Sequence, residues 1–413
     1  MKKVLSPDHF FATKIPVKMW IDEVEEQAMD QIFNLANLPF AFHHIAIMPD
    51  CHSGYGMPIG GVLATERVVI PNAVGVDIGC GMCAVKTNIK AEEVNREMMC
   101  RIFGGSKEYQ CGIRSAIPVG FNHQSKKQDE ALMPHFGNTI KGDEGFDYPI
   151  VWQQYESALK QIGTLGGGNH FIEIQRDTDG YIWIMIHSGS RNLGKQVADH
   201  YNKIANDLNA KWYSQVPKER QLAFLPMESE EGKAYLREMN YCVDFAFANR
   251  KLMMSKIIDI LQQIFGVDKV PTNCYDNIIN IAHNYARMEH HFGKNVMIHR
   301  KGATLATKDT VGIIPGSQGT KSYIVKGLGN EDSFMSCSHG AGRKMSRTKA
   351  ENTLDLEFEI KRMDNLGIMH GIRSKKDLDE AAGAYKDIDE VMANQNDLVE
   401  IVVELSPMGV IKG

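Results

Sequence analysis

The sequence predicts an α+β fold: one large domain over residues 1–413 with a helical insertion at about 205–270. Two observations lead there. Glycine-rich blocks that follow or contain apolar strand-like runs alternate with stretches whose apolar residues recur at helical spacing. No repeat, low-complexity tract or clear linker divides the chain.

Taken in order, Val24, Ala28, Ile32 and Leu35 mark one face of a helix over 21–38. The apolar run 43–48 reads as a strand entering the loop PDCHSGYG. Residues 60–87 are β-like and glycine-rich, 91–103 helical, and 104–150 irregular. Val151, Tyr155, Leu159 and Ile162 give a helix that stops at GTLGGGNH. Two strands follow, FIEIQ and YIWIMIH, with a turn at Asp177–Gly180. Leu193, Val197, Tyr201 and Ile204 share a helix face, and 233–264 make one or two long helices. The last third holds the strands IINIAHNYA, NVMIHRKG and KSYIVKG, short helices over Lys344–Asn352 and about 377–393, and a final strand carrying Val399, Ile401, Val403 and Leu405.

Composition narrows the function classes. Apolar residues are 43% and charged residues 23% of 413, which excludes wholesale disorder. No apolar run approaches the roughly 18 residues of a membrane span. MKKVLSPDHF lacks the apolar stretch of a secretion signal, so reduced thiols and a cytoplasmic location are expected for the eight cysteines. A net charge of −5 argues against a globally basic nucleic-acid binder and leaves room for a local basic groove.

The chemistry sits in the glycine blocks. VGVDIGCGMCAV holds Asp77, Cys80 and Cys83. A lone C-x-x-C is most often two buried thiols, and otherwise a redox pair or half a zinc site. Its G-x-G-x-x-A run is not a dinucleotide fingerprint, because VKTNI continues as strand rather than opening a helix. His170, His187 and His283 each lie at the end of an apolar strand in a Gly- or Asn-rich setting. One such histidine is ordinarily structural. Three, joined by Asp77 and Cys80, converge at one sheet edge as a ligand set for a transition metal, zinc as readily as manganese. Gly189, Gly194 and Lys195 imitate a P-loop, but Gln196 replaces the magnesium-binding hydroxyl. IPGSQGTKSYIV offers turn amides for a phosphate or base edge, against the alternative of a plain hairpin. His339 in SCSHGAGR precedes the expected helix at Lys344, whose N-terminal dipole would keep it neutral and nucleophilic. Lys412 ends an alternating strand, which would tie it down within reach of a site.

In combination and order, VGVDIGCGM, GGGNHFIE, HSGSRN, HNYA, PGS, SHGAGR and VIKG resemble the RtcB family of RNA ligases, from about Ile47 to Gly413. The resemblance implies an RtcB-like sandwich domain. It implies a GTP- and manganese-dependent ligase joining RNA 3′-phosphate or 2′,3′-cyclic phosphate ends to 5′-hydroxyl ends, in tRNA splicing or RNA repair. Two Mn²⁺ would be held, one by Asp77, Cys80 and His170, the other by Cys80, His187 and His283. His339 would take GMP. Asn169, His170, Phe171, Ile172, Glu173, His283, Asn284, Pro315, Gly316, Ser317, Gln318, Ser322, His339, Gly340, Ala341, Gly342, Tyr385 and Lys412 would bind the guanine nucleotide. Arg191 and Arg343 are candidates for RNA phosphates. Partners would be the RNA, GTP and an archease-like activator, with no membrane, for a monomer or homodimer. The chain departs from the family pattern at Gln318, where Met is expected, and at Cys51, where an apolar residue is expected. The alternative is a dinuclear metal phosphoesterase acting on cyclic ends without guanylylation. A third class is an RNA chaperone that binds metal and nucleotide without turnover.

Overall fold

A computed structural model describes residues 1–6, 13–136 and 148–413. Part of the irregular segment expected at 104–150 therefore lies outside the described residues. Two sheets form the frame, the larger antiparallel throughout and the smaller mixed through the parallel pair Val17–Met19 with Ala41–His52. The larger has seven strands in the order Ile279–Ala282, Gly81–Lys90, Tyr181–Ser188, Phe171–Asp177, Val399–Lys412, Ser322–Gly327, Val311–Ile314. The smaller has six, with Ala41–His52, Ile59–Thr65, Lys294–Lys301 and Asn284–His291 as its longer members. The α+β prediction holds. Among the described residues no helix is long and apolar enough to cross a membrane.

Residues 205–270 hold the end of the helix Arg191–Lys211 and all of the helix Glu230–Phe265. The latter is a single helix of 36 residues. Ser229 caps it by accepting from Gly232 N–H, Glu230 and Glu231 suit its positive end, and Gly266 stops it at φ +89°. Met253, Met254, Ile257, Ile258 and Leu261 bury against Val85, Ile172, Ile184 and Ile186, so this helix is a core layer under the large sheet.

Other elements shift for local reasons. The first helix begins at Glu26, not 21, and buries Ala28, Ile32 and Leu35. The expected helix over 91–103 is a 3₁₀ turn at 91–93 followed by Arg96–Phe103, capped by Asn95. Instead of one helix at 377–393 there are two 3₁₀ turns, Lys375–Glu380 and Ala382–Ala384, then the helix Ile388–Ala393. Asp377 caps the first turn and Asp387 the helix, each satisfying local N–H groups that a continuous helix would have bonded internally. The helix expected from Lys344 begins at Arg347, because Ser346 caps it by accepting from Lys349 N–H. His339 therefore stands eight residues ahead of the helix, and the dipole argument for it does not hold.

Candidate active site

Register brings the five proposed ligands to one sheet edge. Gly81 pairs with Ala282 and Ser188, and His187 pairs with both Met82 and Phe171. Asp77 and Cys80 precede the first of these strands, His170 precedes another, and His283 follows the edge strand. Cys80 Sγ lies 3.4 Å from His170 Nε2 and 3.3 Å from His187 Nε2. His170 Nε2 lies 3.0 Å from Asp77 Oδ2, and His187 Nε2 lies 3.4 Å from His283 Nε2. The thiol thus sits between an Asp–His pair and a His–His pair. A side chain at Gly189 would collide with the Asp77 carboxylate, which explains the glycine in HSGSR.

The electrostatics suit a cation. Burial pushes His187 and His283 well below the usual histidine range, so both imidazoles are neutral with free lone pairs. His187 Nδ1–H donates to Asn169 O at 3.1 Å, which directs Nε2 toward the thiol. Burial, then the charge of Asp77, pushes the Cys80 thiol far up, a state that a divalent cation would reverse. Cys83, also buried, packs in the core beneath the helix Glu230–Phe265.

Two buried polar residues of that helix hold the loops that carry the proposed ligands. Arg250 donates from Nη1 to Gly79 O at 2.9 Å and Ser188 O at 2.8 Å, and from Nε to Asn280 Oδ1 at 2.7 Å. It therefore ties together the segments carrying Cys80, His187 and His283. Asn249 accepts from Gly163 and Thr164 N–H and donates to Gly189 O. Sequence reading passed over both, although a polar pair amid inward apolar positions was a visible signal.

Next to this cluster opens a cleft of about 880 Å³. Its floor follows from the pairing Val410↔Glu173 and Lys412↔Phe171, which puts all four side chains on one face. Alternation turns Ile172 to the other face, into the core. Asn169, Pro315, Gly316, Ser317 and Gln318 line the cleft, as do His339 to Gly342, Arg343 and Tyr385. Ser322 acts behind it, accepting from Gly316 N–H and Gln175 Nε2. Asn284 is likewise indirect, donating to Asp77 O and accepting from Gly302 N–H. Gln318 Nε2 donates to Glu380 O at 2.9 Å, while its buried amide oxygen has no partner. Arg191 is engaged internally, by Thr164 Oγ1 at 2.9 Å and Gly120 O at 2.8 Å.

His339 is fixed by Asp50, a fully buried residue of the PDCH segment that sequence reading left without a role. Asp50 Oδ2 accepts from His339 Nδ1 at 2.5 Å and from His339 N–H at 3.0 Å. With Nδ1 thus occupied, Nε2 is the nitrogen left with a lone pair. The His339 ring centroid is 4.8 Å from that of His283, so nucleophile candidate and ligand cluster adjoin.

Glu380 is the second residue missed. It is buried yet its carboxyl lies below the usual range: burial opposes ionisation, and Lys412 and Arg343 outweigh it. It accepts from Arg343 Nη1 at 3.0 Å, Arg347 Nε at 3.1 Å and the Tyr385 hydroxyl, with Lys412 Nζ at 3.9 Å. Burial holds Glu173 up at about 8, against the opposing effects of Gln175 and Lys412.

The family described as tRNA-splicing ligase RtcB matches residues 31–413. The RNA-splicing ligase RtcB of Escherichia coli K12 is 40% identical, covering 96% of this chain and 97% of that one. The tRNA-splicing ligase RtcB of Methanococcus maripaludis is 31% identical over 97% and 95% of the two chains. RNA-splicing ligase RtcB homolog 1 of Entamoeba dispar is 33% identical over 93% and 81%. A match that runs through both sheets, the ligand cluster and the His339 segment to the last residue makes this chain a member of the RtcB family.

Proposed function

We propose that the protein is an RNA ligase of splicing or repair, acting in the cytoplasm, that joins 3′-phosphate or 2′,3′-cyclic phosphate ends to 5′-hydroxyl ends at the expense of GTP. The observation that carries this reading is the His339–Asp50 pair on the wall of the cleft, beside the cluster of five proposed ligands.

His339 Nε2 attacks the α-phosphorus of GTP, and the N–P bond forms as pyrophosphate leaves. Asp50 keeps the proton on Nδ1 and stabilises the positive charge that the ring gains. An oxygen of the RNA 3′-phosphate then attacks the same phosphorus, and His339 departs as neutral imidazole. The 5′-hydroxyl attacks the RNA phosphate so activated, and GMP leaves. A cyclic end is first opened by water.

Asp77, Cys80 and His170 would hold one manganese ion and Cys80, His187 and His283 a second, with Cys80 shared. Bound there, the ions would draw charge from phosphate oxygens. In the cleft, protonated Glu173 and cationic Lys412 offer a polar acid and a donor side by side. That pair suits guanine, whose edge sets an acceptor oxygen beside N–H donors. The Tyr385 ring, its hydroxyl held by Glu380, offers a stacking face.

Incubation with α-labelled GTP, Mn²⁺ and RNA carrying a 3′-phosphate tests the reading. A labelled, acid-labile protein and joined RNA are expected. Phosphate release or end-opening without label transfer would replace the ligase by a phosphoesterase, and binding without turnover by a chaperone.

A further inference from the structure

The nucleotide cleft does not end at Lys412. Gln318, Glu380, Val410 and Lys412 also border a second hollow of about 910 Å³, whose wall carries Arg114 and Lys376. Arg373, next in the chain after Gly371 and Ile372 of that hollow, borders a third, of about 1070 Å³, walled also by Arg96 and Arg176. Both hollows border the C-terminal strand, one at Val410 to Lys412 and the other at Pro407 and Met408, and together they form the groove.

Its cations are exposed and unpaired. Arg96, Arg114, Arg176 and Lys376 have no carboxylate partner among the described residues. Arg373 caps only the carbonyls of Ile372 and His370. Arg114 lies 5.2 Å over the Phe103 ring, and desolvation together with the charge of Arg373 lowers it from the usual arginine value. The neighbouring acids are engaged elsewhere. Asp377 accepts from Arg373 and Ser374 N–H, Asp364 meets His370 at 3.2 Å, Asp379 lies 3.9 Å from Arg347, and Glu380 is saturated by Arg343 and Arg347. Six cations, Arg96, Arg114, Arg176, Arg373, Lys376 and Lys412, thus border the two hollows against four side-chain carboxylates, Asp364, Asp377, Asp379 and Glu380, an excess of positive charge on a chain of net −5 that favours an external polyanion.

A separate feature lies near the same hollow. Phe121 is 102% exposed, more than any other large apolar side chain described. It follows Gly120, whose N–H donates to Gly166 O at 2.9 Å and whose carbonyl accepts from Arg191. A Cβ on Gly120 would lie 3.8 Å from the carbonyl carbon of Gly413, which borders the second hollow. An exposed ring beside a basic groove is how single-stranded nucleic acids are held without base readout.

We propose that this groove carries the backbone of single-stranded RNA beyond its reacting end, with Phe121 stacking on a base near the second hollow. The inference rests on the ligase reading for the identity of the polyanion. It needs no catalytic step for its test.

Fluorescence anisotropy of a labelled single-stranded RNA with a 3′-phosphate, over a range of salt, reads it directly. The variants are Arg114→Gln with Lys376→Gln, Arg96→Gln with Arg176→Gln, and Phe121→Ala. Each basic pair should weaken binding and flatten the log–log salt slope by about 0.7 for each phosphate no longer neutralised. Phe121→Ala should weaken binding about fivefold or more with the slope unchanged. All three should form the GMP adduct and join very short RNAs at the wild-type rate. Wild-type affinity and slope in both basic pairs would overturn the groove, whatever the ligation result. So would a wild-type protein that binds an acidic peptide but no RNA. Groove-dependent RNA binding in a protein that never joins ends would instead sink the ligase reading and keep the groove.

Discussion

Replacing Asp50 by Asn isolates the charge that holds His339. Asp50 Oδ2 receives two bonds from that residue, at 2.5 Å from the ring and 3.0 Å from the main chain, in a fully buried setting. Asparagine fills nearly the same volume, so the backbone bond can persist and the fold should survive. What goes is one charge-assisted hydrogen bond to an imidazole that becomes positive on attack. Such bonds contribute about 1.5–3 kcal/mol, which converts to roughly 10- to 150-fold in rate. If the amide turns its N–H₂ toward Nδ1, the ring proton moves to Nε2 and the loss grows toward about 10⁴-fold. The assay is single-turnover formation of the labelled GMP–protein adduct, with melting temperature as the control for folding. Joining of RNA already capped with GMP should change little, because that step does not use His339. An Asp50→Asn protein that guanylylates at the wild-type rate would refute the orienting role.

Three further outcomes are expected. Cys80→Ser should lose both metal equivalents, since one thiol serves both ligand pairs, whereas Cys83→Ser should keep them; metal analysis of the purified proteins decides. Lys412→Ala should weaken GTP binding by about 1.5–3 kcal/mol in calorimetry, and unchanged affinity would remove Lys412 from the nucleotide site. Glu173 titrates at about 8 in the fold against an ordinary value of 4.5, so the folded state holds a proton that the unfolded state gives up between those values. Stability should therefore fall as pH rises from 4.5 to 8, on the order of a few kcal/mol, and Glu173→Gln should flatten that fall in urea unfolding. Parallel pH profiles for the two proteins would show that burial of Glu173 is not what sets them.

The convergence of the proposed ligands was legible because each is a chemically unusual residue at a strand end, and register did the rest. His170, His187 and His283 converge because Gly81 pairs with both Ala282 and Ser188, while His187 pairs with both Met82 and Phe171. Lys412 was legible for a similar reason: alternation along the last strand carries it to the face of Glu173. Asp50 and Glu380 were not, since a carboxylate in a loop motif or a polar stretch is ordinarily solvated. Only tertiary packing buries these two among histidine, arginine and lysine partners. Arg250 and Asn249 interrupt the apolar periodicity of their helix, but only the fold shows which loops they hold. The helix expected after SHGAGR misled because Ser346 is the stronger cap, so the helix starts too late to act on His339. In its place stands Asp50, contributed from a different sheet.

The central claim is that His339 forms the covalent bond to GMP. Mass spectrometry of protein incubated with GTP and Mn²⁺, then digested under alkaline conditions that spare a phosphoramidate, tests it most directly. The account predicts one GMP added to the peptide containing His339, absent from His339→Ala protein that still binds GTP. GMP carried by any other residue, or an adduct that persists in His339→Ala, would contradict it.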